Sequence, residues 1–122
     1  MLMVNVNEKI FSILNDERLT ETVKDVFSGY PTTIEEFPCV CFVDDGQHDT
    51  EYADNQNMGI RYECEVHIFT KALDGYPTTF EIGEIIKSLL RENDFCCILN
   101  REVPDEQDNV RHRVMGFRNW SF

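Results

Sequence analysis

The chain has 122 residues, 42% of them hydrophobic, and a formal net charge of −12. That length predicts one domain, residues 1–122, in which nine Phe, four Tyr and one Trp supply a core without disulfides. The acidity disfavours nucleic acid and anionic membranes as ligands, and no run approaches the ~18 apolar residues of a membrane span.

The charge is uneven. Residues 1–60 carry 12 acids and 3 bases, whereas residues 61–122 carry 11 acids and 8 bases. The stretch from Val110 to Phe122 holds Arg111, Arg113 and Arg118 and no acid. An acidic first half and a basic end suit head-to-tail pairing between copies.

In chain order, Val6, Ile10, Ile13 and Leu14 fall at i, i+4, i+7 and i+8, which predicts an amphipathic helix from about Asn5 to Asn15. Leu19, Val23, Val26 and Phe27 repeat the spacing and predict a second short helix, capped by Thr20, or a continuation of the first. Phe37-Pro-Cys-Val-Cys-Phe-Val43 predicts a short strand, with Pro38 at its start or on an edge. Residues 44–59 are polar and lack periodicity, which predicts a long loop.

The sharpest pattern follows, from about Gly59 to Thr70. Tyr62, Cys64, Val66 and Ile68 alternate with Arg61, Glu63, Glu65 and His67, as in a strand with one buried and one wet face. Phe80, Ile82, Ile85, Ile86, Leu89 and Leu90 then mark a helix, with Thr78 and Glu81 as a capping box. Phe95 to Glu102 and Val110 to Arg118 predict a closing hairpin around Pro104-Asp-Glu-Gln-Asp-Asn109. The expected fold is α+β: a mainly antiparallel sheet of about four strands with two or three helices on one face. Gly29-Tyr-Pro-Thr-Thr-Ile-Glu35 matches Gly75-Tyr-Pro-Thr-Thr-Phe-Glu81 at six of seven positions, a similarity that turn chemistry explains.

Signals for chemistry are sparse. The five cysteines (39, 41, 64, 96 and 97) include no C-x-x-C pair and lack zinc spacing, so they read as reduced thiols in a reducing cytosol. Asp44, Asp45, Glu63 and Glu65 are the carboxylates a small metal-dependent nuclease would gather around magnesium. The run Asp44, Asp45, His48, Asp49, Glu51 and Asp54 is acidic enough for weak divalent binding but lacks EF-hand register. No G-x-S-x-G and no glycine-rich phosphate loop is present, although a Cys64–His112 pair remains open. No catalytic residue, cofactor or metal is expected. Arg111 and Arg113 beside Phe117 and Trp120 suit a protein interface, where arginine and aromatics are enriched. Tyr52, Asp54, Asn55 and Arg61 join them as interface candidates. A third reading is an acidic adaptor that binds a partner through residues 47–57 without self-assembly.

The order of these elements, with Tyr52-Ala-Asp-Asn55 leading into Ile60-Arg-Tyr-Glu-Cys-Glu-Val-His-Ile-Phe69 and Val110-Arg-His-Arg-Val-Met-Gly-Phe117 closing the chain, resembles the tail-terminator and neck (head–tail joining) proteins of tailed bacteriophages. The resemblance covers most of the chain. It implies a non-enzymatic virion protein of a phage or prophage, assembled in the bacterial cytoplasm. Such a protein forms a ring, commonly of six copies, that caps the tail tube and meets the head connector. DNA would pass through the ring without specific binding.

Overall fold

Helix α1 (Val6–Leu14) forms where the apolar spacing predicts it, and Ile10 and Leu14 are fully buried. The computed structural model describes residues 6–49, 60–105, 107 and 109–121, with the backbone alone at 6, 44–49, 60, 61, 120 and 121. A single turn, α2 (Glu17–Thr20), follows α1. Its cap is Asp16 rather than Thr20, and the Asp16 carboxylate accepts from the Arg18 backbone N–H.

The predicted helix over Leu19–Phe27 stops there. Leu19 and Val23 enter the core, and the chain turns into strand β1 (Asp25–Ser28). A β-branched and aromatic Val26-Phe27 pair gains more as a sheet edge than as a helical turn. Its alternation sends Val26 to the core and Phe27 to the other face.

The remaining elements are β2 (Cys39–Asp49), β3 (Ile60–Lys71), α3 (Thr79–Arg91), β4 (Cys96–Val103) and β5 (Val110–Ser121). Among the described residues the sheet has five strands, close to the four or so expected, in the order β1-β2-β3-β5-β4. It is mixed: β1 runs parallel to β2 and the other three pairings are antiparallel. Of the predicted loop 44–59, residues 44–49 belong to β2, with an irregularity between Asp44 and Gly46, and residues 50–59 lie outside the described residues. Polar residues 44–49 carry no apolar alternation; pairing with β3, not sequence pattern, makes them a strand.

Three helices pack on one face. Ile10, Leu14, Leu19, Ile82, Ile86 and Leu90 meet Val40, Phe42, Cys64, Val66, Ile68, Met115 and Phe117 in one core. The predicted inward set of β3 is buried: Tyr62, Cys64, Val66 and Ile68. Thr78 caps α3 by accepting from the Glu81 N–H at 3.1 Å. Asp94, at φ 68°, ends the α3 region in a left-handed turn. The two Gly-Tyr-Pro-Thr-Thr copies share one backbone demand, φ 87° at Gly29 and 91° at Gly75, a region open to glycine at little cost.

The opposite face departs from the wet surface the alternation predicts. Residues 29–38 cross part of it, after which the chain enters β2 through a cis Phe37–Pro38 bond. Beneath this segment Cys39 and Cys41 are fully buried, and His67 is nearly so. Phe37 offers its ring to the Lys71 ammonium at 4.5 Å. At one end β2, β3 and β5 run past their shorter neighbours: β1 stops opposite Phe42 and β4 starts opposite Arg118.

Candidate assembly surfaces

Of the interface candidates that are described, Arg61 lies far along the sheet from Arg111 and Arg113. Tyr52, Asp54 and Asn55 lie outside the described residues. Arg61 stands opposite His48 and Trp120, and Arg111 stands opposite Thr70. Nine residues of β3 separate those positions, about 30 Å at strand rise.

Arg111 and Arg113 occupy the helix-side face of β5, in line with Met115 and Phe117. Arg111 is exposed and lines a cleft of about 320 Å³ with Thr70, Leu73, Tyr76 and Glu102. Arg113 is engaged within the chain. Its Nε donates to Thr79 Oγ1 at 3.2 Å and its Nη1 to Asn100 Oδ1 at 2.9 Å, and its guanidinium lies 5.9 Å from the Phe80 ring centroid. The Thr79 hydroxyl donates in turn to Glu102 Oε1 at 2.8 Å. Arg113 therefore joins β5, β4 and the start of α3.

The nuclease carboxylates are already committed where they are described. Glu63 Oε2 lies 3.8 Å from Arg118 Nε, and Glu65 Oε1 lies 2.8 Å from His67 Nε2. The side chains of Asp44 and Asp45 lie outside the described residues. Among the described residues no group of three or more His, Cys, Asp or Glu is placed to hold a metal ion. Cys64 and His112 project from opposite faces of the sheet, so they form no pair.

One cluster escaped the sequence reading. His67 Nδ1 faces His112 Nε2 at 2.8 Å, and His67 Nε2 lies 2.8 Å from both Glu65 Oε1 and the Tyr30 hydroxyl. His112 stacks on Phe69, with ring centroids 4.2 Å apart. The neutral tautomers that satisfy this chain have His112 Nε2–H donating to His67 Nδ1 and His67 Nε2–H donating to Glu65. The cluster fastens the crossing segment, through Tyr30, to the sheet. Burial, and then the neighbouring His67, hold the His112 imidazole below its ordinary pKa, while Asp105 pulls weakly the other way. Residues 45 apart in sequence meet only through the β3–β5 register, which no local pattern encodes.

The two sheet edges differ. On β4 the register shifts between Cys97 and Leu99, so Ile98 is an extra residue. A Cβ on Gly116 would meet Leu99 at 3.2 Å and Ile98 at 3.5 Å, so both apolar side chains lie on the face opposite the helices. They remain exposed, Ile98 at 45% and Leu99 at 38%. Arg101, opposite Val114, projects from the same face. On the β1 flank that face borders a hollow of about 220 Å³ lined by Asp25, Phe27, Thr33, Glu35 and Glu36. One edge is apolar and cationic, and the other is apolar at its floor and acidic at its rim.

No protein-family model matches the chain, and no curated protein matches it. Among solved structures, it is similar to a chain of the "Virion of native gene transfer agent (GTA) particle", at 11% identity and a TM-score of 0.60. The similarity covers 95% of this chain and 93% of that one. At that identity it shows a shared fold, spanning nearly the whole of both chains.

Proposed function

We propose that the chain is a structural protein of a phage-like virion, a tail or neck terminator that assembles as a ring, caps the tail tube and joins it to the head connector. The observation that carries this reading is the fold match, over 95% of the chain, to a component of a gene transfer agent virion. The sequence resemblance points the same way. The unlike edges of the sheet suit a contact in which one patch meets a different patch on the next copy. A net charge of −12 suits a channel through which DNA passes without adhering. On this reading the protein is not an enzyme, and its partners are further copies of itself (six by resemblance), the tube protein and the head connector.

Deleting the gene from the parent phage or prophage and imaging the particles tests the reading. Abnormally long tails, or heads and tails left unjoined, are expected. Particles with tails of normal length and normal attachment would rule it out.

A further inference from the structure

We infer that the β4 edge of one copy docks on the β1 flank of a second copy of this chain, Ile98 and Leu99 covering Phe27 while Arg101 meets Glu35 and Glu36. The inference rests on the self-assembling virion reading and supplies the contact that reading lacks.

The sheet order puts β1 and β4 at opposite edges. A copy placed beside another with its helices on the same side brings those two edges together and continues the sheet. The bulge decides what meets what. Without the extra residue, Ile98 and Leu99 would point to opposite faces; with it, both stand on the face opposite the helices. That is the face on which Phe27 projects from β1, because Phe27 pairs with Cys41 and Cys41 with His67. Arg101 lies two residues along β4 from Leu99, about 7 Å by strand rise. The acidic rim of the β1 hollow gives it a carboxylate partner. An exposed edge strand carrying two large aliphatic residues invites pairing unless something covers it. A second copy offers the matching surface in both polarity and charge.

The contact is heterologous, so the same join repeats around a ring, and charge reversal tests it directly. Sedimentation velocity with light scattering would be run on the full chain, at low and high salt. Wild type should associate beyond a dimer, and more weakly in high salt. Arg101→Glu alone, and Glu35→Lys with Glu36→Lys, should each weaken association about tenfold or more. An equimolar mixture of the two variants should restore it, because each then meets an opposite charge at both of its edges. Unchanged circular dichroism and thermal midpoints would separate lost assembly from lost folding.

Assembly undiminished in both variants would overturn this contact and leave the ring reading standing. Weakened assembly with no recovery in the mixture would overturn it too, as would a wild-type chain that stays monomeric at every concentration. The gene-deletion phenotype judges the terminator role separately: charge-dependent association with normal tails would keep the contact and discard that role.

Discussion

His112 stands between the buried His67 imidazole and the Phe69 ring. Its depressed pKa makes folding pH-dependent, and the sign follows from linkage. As pH falls through about 6.5 the unfolded chain takes up a proton that the folded chain still refuses. The stabilisation is therefore complete above that pH and declines as pH drops toward the lower folded value. The midpoint of urea unfolding should fall between about pH 7 and pH 5.5, and His112→Gln should flatten that slope. An undiminished slope in the variant would assign the effect to other groups.

The cysteines make a second test at this scale. Burial pushes the Cys39 thiol up to about 12, with Cys41 and Asp25 adding to it, and burial pushes Cys41 up to about 11. Cys96 is exposed. Alkylation of the folded protein followed by mass spectrometry should modify Cys96 first and leave Cys39 and Cys41 intact until unfolding. Labelling of Cys39 at the rate of Cys96 would contradict the covering of that face by residues 29–38.

Among the elements, α3 and β3 were legible because their signals are local: a cap, a 3.6-residue period and a two-residue period. Removing the Thr78 hydroxyl tests the cap; Thr78→Ala should cost about 1 kcal/mol in urea unfolding. Arg18 makes the more elaborate contact, forking between Asp16 at 3.0 Å and Glu92 at 2.7 Å and so tying α2 to the end of α3. These groups are exposed, so solvent screens them, and Arg18→Ala should cost less than loss of the cap, with the difference widening in salt. A larger loss from Arg18→Ala would show that the fork fixes the position of α2.

The elements misread from sequence depend on partners far along the chain. Strand β1 has four residues and exists because β2 lies beside it. Its Val23–Phe27 spacing satisfies a helical period by chance of where the core and edge positions fall. The strand character of 44–49 comes from β3. Of the candidate site, the cationic end of the chain was legible. The inward placement of Arg113 and the bulge that pairs Ile98 with Leu99 were not, since both require cross-strand register.

For the molecule as a whole, one core among the described residues joins the three helices described to the sheet, so damage at its centre should be felt globally. Phe42 is fully buried there, and Phe42→Ala should cost about 3–5 kcal/mol, a large share of the ~5–15 kcal/mol typical of a domain. Calorimetry should show one transition moving as a unit; a second, unmoved transition would mean that part of the chain folds independently.

The extension of β2, β3 and β5 past β1 and β4 acquires a meaning once copies are joined edge to edge. A cyclic arrangement repeats one rotation, so every copy stands the same way up. In the proposed ring all of the projecting three-stranded ribbons would leave from one rim, and the strand ends at Lys71, Val103 and Val110 would gather at the other. Such an annulus has a top and a bottom of different chemistry although it is made from one kind of chain. In the proposed junction role that property would let the ring tell what lies above from what lies below and be inserted only one way round.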